Sequence, residues 1–184
     1  WAFRPDAEEL NAALFAWLDG VDAGAPFFAH VQYMEPHWPY APPPPFDTRF
    51  GVTVQLPDLW AMEDGFAPWE RGTELDESGR QQLVDAYDGA VAYWDDRFGA
   101  LLAELDRRGR LANTIVVVVS DHGEAFYEHG TWGHQNSLYD ELVRVPLVLR
   151  GPGVEAVRDA RPVASRDVAP TVLRLLGLDP ALLG

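Results

Sequence analysis

Apolar residues near the start of the chain recur at helical spacing, with Leu10, Leu14, Trp17 and Leu18 forming one stripe. Asp6-x-x-Glu9 ahead of them has the form of a capping box, and Gly20 supplies a stop, so a helix is predicted between them. Pro26 to Met34 (Pro-Phe-Phe-Ala-His-Val-Gln-Tyr-Met) reads as a strand. It runs into Glu35-Pro36-His37-Trp38-Pro39-Tyr40 and then a proline run from Pro42 to Pro45. Residues 47 to 77 lack a clear period and read as a long loop or insertion lying over the domain; loops of that length are often functional covers. Ser78-x-x-Gln81 reads as a second capping box. It opens the longest predicted helix, where Leu83, Tyr87, Val91, Trp94, Phe98, Leu101 and Leu105 recur at three- and four-residue steps until Gly109.

The pattern then changes period. Thr114-Ile115-Val116-Val117-Val118-Val119 has no polar alternation, which predicts a strand buried on both faces, as in a parallel sheet covered by helices. Helix, short turn and strand in that order suit a right-handed crossover. Val145 to Leu149 predicts another strand, ended by Gly151-Pro152-Gly153. A last helix is predicted from near Asp167 to Gly177, burying Val168, Val172, Leu175 and Leu176. These elements predict an α/β fold, a mainly parallel sheet sandwiched by helices, with residues 1–184 as a single domain segment.

In open α/β sheets, ligands sit just beyond the carboxyl ends of the strands. Here the valine strand empties into Ser120-Asp121-His122-Gly123-Glu124, and His129 and His134 follow, each beside a glycine. The bland reading is turn chemistry, with Asp folding back on its own backbone and Gly supplying positive φ. Position at a strand end, and three of the chain's five histidines in one loop, make the segment a candidate metal or anion site instead. His37 sits among prolines and aromatic residues, where a rigid loop displaying an exposed ring is as good a reading as a functional one.

Composition narrows the partners. The chain has 184 residues, 47% of them hydrophobic, enough for one domain with a sizeable core. Its net charge is −15 and every base is arginine, so nucleic acid and anionic membranes are repelled. An anionic substrate would have to be drawn in by local positive charge. Cysteine is absent, which excludes disulfides, thiolate metal sites and a cysteine nucleophile within these residues. No apolar run approaches the length of a membrane span. The chain opens Trp1-Ala2-Phe3-Arg4 without Met and reads as an internal segment of something longer.

Ser120-Asp121-His122-Gly123-Glu124, then His129-Gly130-x-x-Gly133-His134, then Leu138-Tyr139-Asp140-Glu141-x-x-Arg144-Val145-Pro146-Leu147 resembles the C-terminal part of a sulfatase, in the alkaline-phosphatase-like superfamily. Met34-Glu35-Pro36-His37-Trp38-Pro39-Tyr40 is similar to the family's Pro-His-x-Pro element. Tyr87 to Asp121 resembles its long helix and strand, and Asp167-Val168-Ala169-Pro170-Thr171 its terminal helix start. The resemblance implies an alkaline-phosphatase-like fold, present here as a partial domain, and hydrolysis of sulfate esters. By the same resemblance Asp121 and His122 bind a divalent metal. His134, at a position that is Lys in many sulfatases, contacts the sulfate oxygens. His37 matches a histidine facing the sulfate or the leaving-group oxygen. Calcium is usual in the family, and an imidazole ligand shifts the expectation toward manganese or zinc.

His129 and Glu124 are expected to fix the loop, and Arg144 and Asp167 to make structural pairs. Trp38 and Tyr40 read either as pocket lining or as core. The family's formylglycine nucleophile comes from a Cys/Ser-x-Pro-x-Arg element that has no match here, so it is expected upstream, and the segment alone is expected to be inactive. The implied substrate is a small-molecule or glycan sulfate ester, with no nucleic acid and no membrane span, in a periplasmic or secreted setting. The alternatives are a phosphonate or phosphodiester hydrolase or phosphotransferase of the same superfamily, or a non-catalytic module that binds metal or a partner.

Overall fold

The computed structural model describes residues 5–53, 75–134 and 137–183. The chain divides into two compact units, Trp1–Glu104 and Leu105–Gly184. Most of the predicted loop at 47–77, namely 54–74, lies outside the described residues.

In the first unit, helix α1 (Ala7–Asp19) begins as its sequence dictates. The Asp6 carboxylate accepts the Glu9 N–H, the Glu9 carboxylate accepts the Asp6 N–H, and Gly20 caps the other end. Glu35 adds a third acceptor at that terminus, its Oε1 taking the N–H of the fully buried Ala7 at 3.1 Å. Pro26 to Met34, predicted as a strand, joins no ladder among the described residues. Apolar composition favours extended backbone, but a strand also needs a partner for its N–H and C=O groups. The segment is held by a side chain instead. The Tyr33 hydroxyl donates to Asn11 Oδ1 at 2.5 Å, and Asn11 Nδ2 donates to the Arg97 carbonyl at 2.8 Å.

The long helix α2 (Glu77–Arg107) is capped by Asp76 rather than Ser78, the Asp76 Oδ1 accepting the Gly79 N–H at 2.8 Å. Leu83, Leu101 and Leu105 are buried as predicted, but mid-helix the deepest positions are Ala86, Ala90 and Tyr93 rather than Tyr87 and Val91. The reason is a close backbone approach: a Cβ on Gly89 would lie 2.5 Å from the Phe46 carbonyl oxygen. Small residues let the proline-rich segment lie against the helix, and Tyr40 fills the space beside it, fully buried edge-on to Tyr87. Tyr40 is therefore core. Residues 51–53 are tied to the same helix through Gln82, whose Oε1 accepts the Thr53 N–H at 2.8 Å.

The second unit takes up the last turn of α2. Gly109, at φ 67°, donates to the Asp106 carbonyl while the Arg110 N–H reaches the Leu105 carbonyl, closing the helix in the left-handed manner glycine permits. Strand β1 (Val116–Val119) follows and pairs with β4 (Leu147–Arg150), Val116 opposite Arg150 and Val119 opposite Leu147. The pairing is antiparallel, and among the described residues no parallel pair occurs. Val116 to Val118 are half-buried and Val119 exposed, because a two-stranded ladder covers little of either face. Gly151 follows β4 where a Cβ would lie 2.8 Å from the Ile115 Cα.

Inside the loop after β1 lies a small hairpin absent from the sequence reading, β2 (Ala125–Phe126) with β3 (Trp132–Gly133). Helix α3 (Asp140–Val143) precedes β4. Helix α4 (Val168–Leu175) follows, its Thr171 hydroxyl donating to the Asp167 carbonyl at 2.6 Å, and a 3-10 turn (Pro180–Leu183) comes after it. The Asp167 carboxylate bonds backbone, accepting the Ala164 N–H at 3.0 Å. Val168, Val172 and Leu175 are half-buried rather than buried, and Leu176 is exposed.

Candidate functional site

Residues 120–134 fold back on themselves at the end of β1. The Ser120 hydroxyl donates to the His122 carbonyl at 2.6 Å, and the Asp121 Oδ1 accepts the His122 N–H at 3.1 Å. These bonds bend the chain sharply and leave the Asp121 side chain 72% exposed. Gly123 then passes so close to α3 that its N–H donates to the Leu142 carbonyl at 2.8 Å, and a Cβ there would stand 1.9 Å from the Glu141 carbonyl oxygen. Glycine at 123 is thus a condition of the loop's path.

The histidines of this loop have defined orientations. His122 Nδ1 lies 2.7 Å from the Gly123 carbonyl oxygen. A carbonyl only accepts, so Nδ1 carries the proton and Nε2 carries the lone pair. His134 Nδ1 lies 3.0 Å from Glu124 Oε1, a carboxylate whose side chain is only 5% exposed. The two imidazoles stack, with ring centroids 4.0 Å apart. His129 is turned elsewhere: it stacks on Tyr139 at 3.8 Å and its Nδ1 lies 2.7 Å from Glu141 Oε1. That hydrogen bond holds the Glu141 carboxyl below the usual carboxylate range.

His37, in the first unit, closes a turn with its N–H on the Met34 carbonyl at 2.7 Å. Its Nδ1 lies 2.7 Å from the Trp38 carbonyl oxygen, which again leaves the lone pair on Nε2. Trp38 packs edge-on against Tyr40.

The donor set suits a divalent cation. Asp121 Oδ1 and His122 Nε2 are 3.8 Å apart, and two donors bound at about 2.1 Å to one ion can be separated by up to about 4.2 Å. The pair offers one hard oxygen and one borderline nitrogen, a mixture that manganese and zinc accept more readily than calcium. In the second unit His122 stacks on His134, and Asp121 lies beside His122. Sequence reasoning missed that Glu124 meets His134. The only signal was the spacing of Glu124-Ala125-Phe126 and Trp132-Gly133-His134 about a turn, and strands of two residues are too short to show a period.

The sulfatase family profile matches residues 4–178. The chain is 29% identical over 199 residues to the multifunctional alkaline phosphatase superfamily protein PehA of Trinickia caryophylli, covering 94% of this chain and 38% of that protein. It is 28% identical over 171 residues to iduronate 2-sulfatase of Mus musculus, covering 81% and 31%. Among solved structures it is similar to the phosphonate monoester hydrolase SpPMH from Silicibacter pomeroyi, at 27% identity and a TM-score of 0.70 over 94% of this chain and 39% of that one. The chain thus spans about a third of the length of the curated relatives it matches. Among the described residues, no helix is long and apolar enough to cross a membrane. With most of its length matched, its fold shared and its relatives hydrolases, the chain belongs to the sulfatase family of the alkaline-phosphatase-like superfamily.

Proposed function

We propose that this protein hydrolyses sulfate esters with a bound divalent cation, and that residues 121–134 supply part of the surface facing the metal and the anion. The observation that carries the reading is Asp121 and His122 at the end of β1, two donor atoms 3.8 Å apart with the imidazole tautomer set by the Gly123 carbonyl. Asp121 and His122 are assigned as metal ligands, calcium being the family's usual ion and manganese or zinc the better match to an imidazole. When bound, the cation supplies positive charge against the oxygens of the ester's anionic group.

The remaining roles fall to this chain's histidines. His134 contacts the anion from within the loop. His37 meets the anion or the departing oxygen and, when protonated, can give that oxygen its proton. The nucleophile, a formylglycine by family resemblance, is assigned to sequence outside these 184 residues. Further parts of the same proposal are a mainly parallel sheet containing β1, a small-molecule or glycan sulfate ester as substrate, and a periplasmic or secreted setting.

A second reading has its own support. SpPMH and PehA each align with 94% of this chain, and the former is a phosphonate monoester hydrolase by name. An imidazole at position 122 suits that chemistry equally, since sulfate and phosphonate monoesters both present oxygens that need positive charge. Turnover of nitrophenyl sulfate and nitrophenyl phosphonate by the intact protein separates the two. Faster sulfate hydrolysis supports the first reading, and faster phosphonate hydrolysis replaces it with the second. No turnover of either favours a non-catalytic binding module.

A further inference from the structure

We propose that Glu124 is the positioning residue for His134, holding the ring so that its Nε2 edge is the one offered to the ester's anionic group. The inference rests on the reading of His134 as an anion contact. Three observations support it. The β2–β3 register sets Ala125 opposite Gly133, so that Glu124 and His134 flank the end of the ladder on either strand. The Glu124 side chain is nearly sealed from solvent, and its Oε1 lies 3.0 Å from His134 Nδ1. His122 lies against the face of the same ring, its plane 24° from parallel.

Neutral imidazole has two tautomers, and its ring torsion is broad and roughly two-fold. An exposed histidine therefore presents either nitrogen. A carboxylate accepting from Nδ1 removes that ambiguity, because the ring flip would discard a charge-assisted hydrogen bond and leave a buried carboxylate without this donor. Gly133 belongs to the same arrangement: at φ 76° it turns the backbone so that a Cβ would stand 3.8 Å from Glu124 Oε1. The ring is thus held on one edge by Glu124 and on one face by His122, and the opposite edge carries Nε2, which donates to the anion when the ring is the imidazolium.

The test uses the intact protein with ring-nitrogen-labelled histidine, comparing wild type, Glu124→Gln and Glu124→Leu by nitrogen NMR and ester hydrolysis. The amide oxygen of glutamine can still accept from Nδ1, whereas leucine cannot. Wild type and Glu124→Gln should show His134 protonated on Nδ1, and Glu124→Leu should show a mixture with kcat lowered about 10- to 100-fold, in the range for loss of an orienting partner. A wild-type His134 protonated only on Nε2 would overturn the proposal, whether or not the leucine variant folds. So would an unchanged Nδ1 tautomer in a folded leucine variant. A tautomer change with unchanged turnover would uphold Glu124 as the residue that holds His134 and remove His134 from the reaction.

Discussion

The imidazole of His122 lies nearly flat against that of His134, ring centroids 4.0 Å apart. One ring is assigned to the metal and the other to the anion, so the stack fixes the spacing between the two roles. The hydrogen bonds on the outer edges, His122 to the Gly123 carbonyl and His134 to Glu124, keep both Nδ1 atoms engaged with the protein. Anything that shifts Gly123 should therefore disturb both rings.

Gly123→Ala is the direct way to produce that shift. A Cβ 1.9 Å from a backbone oxygen cannot be absorbed by a side-chain rotation, so the loop or α3 must move. Overpacking of this kind typically costs about 1–3 kcal/mol. Thermal unfolding of the variant should show a loss in that range together with weaker metal binding. Unchanged stability and metal content would mean that the loop has slack this structure does not show.

His37→Ala tests the proton-donor role. A general acid contributes roughly a hundredfold or more when the leaving group is a poor one. The variant should therefore lose far more activity on alkyl esters than on nitrophenyl esters, whose leaving groups need little protonation. An equal loss on both would leave His37 as a contact only.

Alkaline titration tests the packing of the first unit. Burial, and then the negative charge of Glu35, push the Tyr33 hydroxyl up to about 12; burial, and then Asp6 and Glu35, do the same for Tyr93. Because the folded values lie above the unfolded value of about 10, the stability linked to these groups is fully present below that pH. It is lost as pH rises through about 12. Phenolate absorbance should show a late-titrating fraction that Tyr33→Phe and Tyr93→Phe each diminish. A titration of all tyrosines near the unfolded value would contradict the packing.

Features set by a few neighbouring residues were legible in the sequence. Asp6 and Glu9 announce the start of α1, Gly109 the end of α2, and the valine run the strand that leads to Asp121. Features that depend on distant pairing were not. The residues from Pro26 to Met34 look like a strand, and nothing in them says that Tyr33 is tied to Asn11 instead. The antiparallel partner of β1 follows from the return of the chain at Leu147, which apolar content does not reveal. In the site, residue types pointed to Asp121, His122 and His134, but the Glu124–His134 pair emerges only from the register of a hairpin with two-residue strands.

Metal content tests most directly whether Asp121 and His122 hold a divalent cation. Purified intact protein and its Asp121→Ala variant would be analysed side by side for calcium, manganese and zinc after identical dialysis, with circular dichroism to confirm the fold. Wild type should hold close to one divalent ion per molecule and the variant under about half of that, because one of the two ligands contributed by this loop has gone. Equal metal content in the two folded proteins would contradict the assignment.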